Sequence, residues 1–198
     1  MKDSFKTLFI SGVVGAVALA GGAALAQPLG KPLPTSEQPV KPEKNPPGDI
    51  PDNQVFITYH SPLGFSIKVP EGWARRDAGD GTTFNDKYNT VVLSFQARVE
   101  PLRVAGVKGS EVPALEKMGK AIRVSAVKEL KLPSGRAIAV SYGSNSEPNP
   151  VTNKAIRLEN ERYFFWRDGK LVTLTLSAPY GADNTDQWTL MAKSFRWR

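Results

Sequence analysis

Cysteine is absent from the 198-residue sequence, and histidine occurs once, at His60. Without cysteine the protein has no thiol nucleophile, no thiolate-bound zinc and no lipid anchor on an N-terminal cysteine. A lone histidine without a second histidine or a cysteine does not favour a zinc site either. We therefore expect no metal and no other cofactor, and we assign His60 to a surface turn.

Motifs of covalent catalysis are also missing. There is no Gly-x-Ser-x-Gly sequence, which in α/β-hydrolases places the serine on a strand-to-helix turn. Ser125 and Lys128 match Ser-x-x-Lys, but that motif requires a helix, and the alternation around it predicts a strand. Glu159 and Glu161 share a strand face, where two acids are typical of a solvent-facing surface rather than of a glycosidase pair. We therefore expect that the protein is not an enzyme; a hydrolase with an unrecognised site is the most remote alternative.

The charge of the chain is basic and dispersed. Lys and Arg number 26 against 19 Asp and Glu, a formal net charge of +7. This charge favours acidic partners in general, whether anionic lipid, cell-surface polymer or nucleic acid. Nucleic acid is the least favoured of these, because Arg75–Arg76 is the only adjacent basic pair and nucleic-acid grooves need clustered basic residues.

Residues 1–26 have the three parts of a secretory signal peptide. Lys2 and Lys6 supply the positive start, an apolar run rich in Gly and Ala follows, and Ala-Leu-Ala ends the segment. We expect cleavage before Gln27 and a secreted or extracytoplasmic protein, on the periplasmic or cell-wall side. The alternative is an uncleaved membrane anchor, because Thr7–Ala26 is just long enough to span a bilayer.

Residues 27–54 are predicted to form a disordered, proline-rich linker. Eight of the sixteen prolines of the chain lie here, with almost no aromatic or β-branched residues. Such a composition buries too little apolar surface to fold and favours polyproline II. The segment is either a spacer between the membrane and the domain or an inert tail.

Residues 55–198 are predicted to form a single α+β domain. Apolar and polar residues alternate in several short runs, as in half-buried strands. The predicted strands are 55–59, 65–69, 82–84, 91–99, 124–132 and 136–142. Two helices are predicted, one over 111–121 with Ser110 as its N-cap, and one of about ten residues that begins after Asp183 or Asn184.

The longest element is predicted to be a β-hairpin over Lys154–Ala178. Asp168 and Gly169 favour the positive φ angles of a two-residue type I′ turn. The turn sets a register in which Arg167 pairs with Lys170, and every further pair follows from it. One face of the hairpin is predicted to be core and consists of Tyr163, Phe165, Val172, Leu174 and Leu176.

The other face is apolar only near the turn, where it carries Phe164, Trp166 and Leu171. A helix or loop packed on this patch is one explanation, and a ligand or partner docked there is the other. Trp73, on a tight turn after Pro70, is a further candidate: it is either a lid over the end of the sheet or a stacking surface for carbohydrate. These four side chains are the candidate ligand-binding residues.

The segment from Tyr59 to Trp73 reads Tyr-x-Ser-Pro-x-Gly-Phe-Ser-Ile-x-Val-Pro-x-Gly-Trp and resembles the opening of Mog1/PsbP-like domains. The close of the chain, a hairpin followed by a short helix and Ser194-Phe195-Arg196, is similar to the same group. The resemblance covers about residues 55–198 and implies an α/β/α sandwich, an antiparallel β-sheet with helices packed against it. PsbP and LpqN-like proteins are its exported members; this chain lacks the acylated cysteine of the latter.

The resemblance implies a binding or assembly role without a shared catalytic site. We therefore expect an exported, non-catalytic module of the cell envelope or secreted fraction that engages a protein or an envelope component. The alternative is a carrier of a small apolar or amphipathic ligand near Trp166. The identity of the partner and the oligomeric state do not follow from the sequence.

The signal-peptide interpretation makes a direct prediction about mass. The protein recovered from outside its host cell is expected to begin at Gln27, because the small residues at 24 and 26 suit the secretory peptidase. Intact-mass spectrometry measures this, and a retained residue 1 would instead indicate the uncleaved anchor.

Overall fold

The computed structural model of the protein describes residues 37–198. The predicted signal peptide, residues 1–26, and the first part of the predicted linker, residues 27–36, lie outside the described residues. No helix within residues 37–198 combines the length and apolar character needed to cross a membrane.

Ten strands form two antiparallel sheets in this part of the chain. In chain order the strands are β1 (Phe56–Ser61), β2 (Phe65–Pro70), β3 (Ala74–Ala78), β4 (Gly81–Asn85), β5 (Thr90–Ala97), β6 (Arg123–Leu132), β7 (Gly135–Asn145), β8 (Arg157–Arg167), β9 (Lys170–Pro179) and β10 (Arg196–Trp197). The large sheet has the order β3-β4-β5-β9-β8-β7-β6, and the small sheet has the order β1-β2-β10.

The hairpin of β8 and β9 lies near the centre of the large sheet, and its predicted register is confirmed. Arg167 pairs with Lys170, and Trp166 pairs with Leu171. Asp168 has a φ of 48° and Gly169 a φ of 78°, the left-handed values that a type I′ turn requires.

The first predicted helix is wrong in its bounds. A helical stretch runs without a break through α1 (Val104–Gly106), a π-helical turn (Val107–Glu111) and α2 (Val112–Glu116). Ser110 is therefore inside the stretch and not at its start, and its hydroxyl donates to the carbonyl of Gly106. The stretch ends early because the chain from Gly119 to Ala121 takes positive φ angles.

The second predicted helix is confirmed as α3 (Thr185–Ser194). Trp188, Met191 and Phe195 face the core, with at most 7 % of each exposed. After α3 the chain continues as the short strand β10, which pairs with β2 at the edge of the small sheet. The last residues therefore contain a helix followed by an edge strand.

Two minor assignments differ from the sequence prediction. Residues 77–81 are predicted to be a loop, but only residues 79 and 80 form the turn, between the end of β3 and the start of β4. The five residues of β3 are all exposed and give no alternating signal. His60 is exposed as expected, although it lies within β1 and not in a turn.

Each face of the large sheet has its own core. On the first face, here called the α3 side, α3 and the small sheet pack over residues that include Phe84, Leu93, Phe165 and Leu174. On the second face, the α2 side, the helical stretch packs over Phe164, Leu171, Ile138 and Val140. Helices therefore cover both faces of an antiparallel sheet, which confirms the predicted α+β sandwich.

The described part of the predicted linker is not detached from the domain. Its first anchor is Asn145, whose side-chain oxygen accepts the backbone N–H of Val40 at 3.0 Å. The amide nitrogen of Asn145 donates to the carbonyl of Gln38 at 2.9 Å and to the Glu37 carboxylate at 2.8 Å. We call residues 37–50 the strap.

The second anchor of the strap is Asn184, at the N-cap position of α3. Its side chain does not cap the helix; its oxygen accepts the N–H of Ile50 at 2.7 Å, and its nitrogen donates to Gly48 at 3.0 Å and to Asn89 at 3.1 Å. Ile50 is 3 % exposed and joins the core on the α3 side. The packed unit thus begins before residue 55, contrary to the sequence prediction for this stretch.

Asn184→Ala is expected to lower the free energy of unfolding by about 2–4 kcal/mol, because it leaves two buried polar groups and one partly buried carbonyl without partners. Chemical denaturation of the full chain measures the loss. Asn53→Ala is the matched control, since Asn53 is exposed and makes no side-chain hydrogen bond within the described residues. Equal stability of the two variants would show that Asn184 does not hold the strap.

Candidate functional site

A cleft of about 660 Å³ lies on the α3 side, where the strap crosses near the start of α3. The strap contributes Pro39, Val40 and Pro42 to one wall, and α3 contributes Thr185 and Trp188 to another. Its floor is formed by the ends of β6, β7 and β8. We call this site the polar cleft because its floor carries two arginines and two glutamates, Arg123, Arg157, Glu159 and Glu161.

The polar cleft exists because small residues of β7 lie opposite long residues of β8. Gly143 pairs with Glu159, and Ser141 pairs with Glu161. A Cβ atom on Gly143 would lie 2.5 Å from Nη2 of Arg157. Any larger residue at position 143 would therefore displace the Arg157 guanidinium.

Arg157 is fixed by neutral acceptors. Its Nη1 donates to the carbonyl of Ala121 at 2.9 Å and to Oδ1 of Asn145 at 3.1 Å, and the residue is 8 % exposed. Burial is the main cause that lowers the pKa of Arg157, and the nearby charge of Arg123 adds to it. The positive charge of Arg157 thus lies at the edge of the cleft with no carboxylate bonded to it.

The two glutamates are in different environments. Burial raises the pKa of Glu159, against the effect of a hydrogen bond from the backbone N–H of Gly181; the charges of Glu161 and Asp183 raise it further. Glu161 accepts a hydrogen bond from the Tyr163 hydroxyl. Burial and then this bond raise the pKa of Tyr163, so the phenol stays protonated and remains a donor.

None of the four charged groups of the polar cleft forms an ion pair within residues 37–198. Arg157 is buried and the two glutamates are partly buried, whereas Arg123 is exposed. Buried and partly buried charges normally gain a partner, because removing them from water costs free energy. The cleft therefore presents carboxylates and guanidiniums together, and it can hold a ligand that carries charges of both signs.

The sequence interpretation of Glu159 and Glu161 as a solvent-facing pair is wrong. β8 is an interior strand, between β7 and β9, and both residues are only partly exposed. Their alternation continues the core face of Tyr163 and Phe165 toward the start of the strand. This continuation of a core face by acids is the signal that could have indicated the cleft.

The four candidate ligand-binding residues do not form one site. Phe164 and Leu171 are 5 % and 0 % exposed, under the helical stretch on the α2 side. Trp166 packs at the edge of the same cluster, and its indole N–H donates to the carbonyl of Arg98 at 2.8 Å. Trp73 packs against the other core, on the α3 side. Helix packing therefore accounts for most of the apolar patch, and ligand binding at these residues stays a prediction.

Comparison with solved structures relates this fold to PsbP. The solution structure of cyanobacterial PsbP (CyanoP) from Synechocystis sp. PCC 6803 matches with a TM-score of 0.52 at 14% identity, over 76% of this chain and 98% of that chain. A crystal structure from Bacteroides thetaiotaomicron matches with a TM-score of 0.50 at 10% identity, over 71% of this chain but only 48% of that one. At these identities the likeness shows the fold alone, and it confirms the expected Mog1/PsbP-like sandwich.

No family model matches the chain, and neither does any curated protein.

The raised pKa of Glu159 predicts how the site affects stability. A carboxyl whose pKa is higher in the folded than in the unfolded state stabilises the fold at low pH, and this contribution is lost as the pH rises through the folded pKa. At pH 7 the ionised Glu159 therefore costs stability, which Glu159→Gln is expected to restore.

The free energy of unfolding at pH 7 and below about pH 4, where a glutamate of the unfolded chain becomes protonated, tests this expectation. The gain of Glu159→Gln should be present at pH 7 and disappear at the lower pH. Glu100→Gln, at an exposed residue, should show no gain at either pH. A Glu159→Gln protein less stable at pH 7 would contradict the assignment.

Proposed function

We propose that this protein is an exported, non-catalytic binding module that engages a protein or an envelope component through the polar cleft. The observation that carries the proposal is the set of four charged groups in that cleft, none of which pairs with another. The PsbP-like fold is compatible with such a role. The expectation of export rests on residues 1–26 alone.

The charges of the polar cleft favour a partner segment of mixed charge. A basic side chain of the partner would lie against Glu159 and Glu161, and an acidic group would lie against Arg123 and Arg157. Each contact would supply an ion pair that the isolated domain lacks. Such ion pairs become stronger when the partner excludes water from them. A polypeptide carries both signs within a few residues, so we favour a protein segment over a uniformly charged polymer.

The same acids support binding better than hydrolysis. Glycosidase carboxyls flank the bond to be cleaved. Glu159 and Glu161 instead project from one face of one strand and approach a ligand from the same side. Glu161 also already accepts the Tyr163 hydroxyl.

Site-specific cross-linking in the host tests this function. A photoreactive benzoylphenylalanine in place of Thr189, which lines the cleft, is expected to give a discrete adduct on illumination. The double change Glu159→Gln with Glu161→Gln should reduce that adduct by about tenfold or more, since it removes the charges that a partner would pair with. The same cross-linker in place of Lys108, exposed on the α2 side, is the control for random collisions.

Mass spectrometry of the adduct separates the outcomes. A polypeptide adduct that depends on the two glutamates supports a protein partner, and an adduct with a lipid or polysaccharide supports an envelope component. An adduct of equal yield from positions 189 and 108, or one unchanged by the double variant, contradicts the use of the cleft. Turnover of a wall or lipid substrate by the purified chain would contradict the non-catalytic role.

A further inference from the structure

A second depression, of about 540 Å³, lies at the tip of the central hairpin. Its walls are the loop Pro101–Arg103 before the helical stretch, the β6–β7 turn at Ser134–Arg136, and the end of β8 at Trp166 and Arg167. We call it the tip groove. It lies at the opposite end of β8 from the polar cleft, so the two sites can be tested separately.

Three arginines line the tip groove, and they differ in their partners. Arg136 pairs with Glu129 at 2.5 Å, and Arg167 pairs with Asp168 at 3.2 Å. The side chain of Arg103 is exposed and makes no hydrogen bond or ion pair within residues 37–198. Arg103 is therefore the cation of the groove that is available to an incoming anion.

The apolar part of the groove wall consists of Pro101, Leu102 and Trp166. Trp166 is held in place by the bond from its indole N–H to Arg98, whose guanidinium in turn pairs with Glu111 of the helical stretch at 3.0 Å. Beside Trp166 a recess of about 30 Å³ is lined by the apolar Leu102, Ile138 and Phe164 and by the ion pair of Glu129 and Arg136. A recess of that size accepts about one methyl group.

One polar atom in the groove wall also lacks a partner. The side-chain oxygen of Ser134 is buried and makes no hydrogen bond within the described residues. An unpartnered buried hydroxyl costs free energy. Because this oxygen has almost no accessible surface, it is not a contact for a ligand, and binding in the groove rests on Arg103 and the apolar wall.

We propose that the tip groove binds a small amphipathic anion, a single carboxylate on an apolar body. The carboxylate lies against Arg103, the apolar body lies along Trp166 and Leu102, and its end reaches the recess. Guanidinium groups bind carboxylates through charge-assisted hydrogen bonds, and the indole face supplies apolar contact area. This site goes beyond the proposed partner binding and does not depend on it. It also moves the expected ligand position from beneath the helical stretch to the open side of Trp166.

Titration of the ¹⁵N-labelled full chain with decanoate tests the site. The chain has four tryptophans, Trp73, Trp166, Trp188 and Trp197, so four indole N–H signals report on separate places. The Trp166 signal is identified as the one that is lost in Trp166→Phe, or by substituting the other three tryptophans in turn. On addition of decanoate it is expected to shift and to saturate. The other three should stay in place. Decan-1-ol, which has the same chain without the charge, should bind more weakly.

Arg103→Gln is expected to weaken decanoate binding by about two- to fivefold, the effect of one exposed charge contact. Arg76→Gln is the matched control, since Arg76 is also exposed and unpaired but lies on β3 at the far edge of the large sheet. Equal affinity of Arg103→Gln and the unchanged chain would overturn the proposal, as would a shift of all four signals without saturation. Anionic phospholipid vesicles that displace decanoate and bind more tightly would overturn the small-molecule assignment in favour of a membrane surface.

Discussion

The register of the β8–β9 hairpin is the constraint on which the rest of the structure depends. Two left-handed residues, Asp168 and Gly169, fix it, and a slip by one residue would exchange the two faces of the sheet. Phe165 and Leu174 would then leave the core under α3, while Phe164 and Leu171 would leave the core under the helical stretch. One turn therefore fixes both hydrophobic cores at once, and with them the position of each helix.

The same register explains why the polar cleft and the tip groove lie at the two ends of β8. In the middle of the strand most side chains pack in one of the two cores, and Arg162 bonds to Thr175 of β9. Near Arg157 the α3 side of the sheet is only partly covered, because the strap and the first residues of α3 leave a gap. Long charged side chains extend into this gap. Toward Trp166 the helical stretch reaches only part of the tip, and arginines line what remains. Both depressions thus lie where the layers of the fold stop overlapping.

The elements that could be predicted are those whose signal is local. The Asp-Gly turn and the alternation around it sufficed for the hairpin, and apolar spacing sufficed for α3. The strap could not be predicted, because its composition indicates disorder and its anchors, Asn145 and Asn184, lie more than 100 residues away in sequence. The helical stretch was misplaced because its first turn begins at Val104 without a side-chain cap. The polar cleft needed the strap and the sheet together, and its one local sign was the pair of acids that continues the core face of β8.

The strap also connects the polar cleft to the stability of the fold. Glu37 is bound to Asn145 beside the polar cleft, and the same Asn145 accepts a hydrogen bond from Arg157 in the floor of the cleft. A change that releases the strap from Asn145 would therefore also disturb a charged group of the cleft. The hairpin tip lies at the other end of an eleven-residue strand, roughly 30 Å away. The polar cleft and the tip groove are thus far enough apart for both to be occupied at the same time.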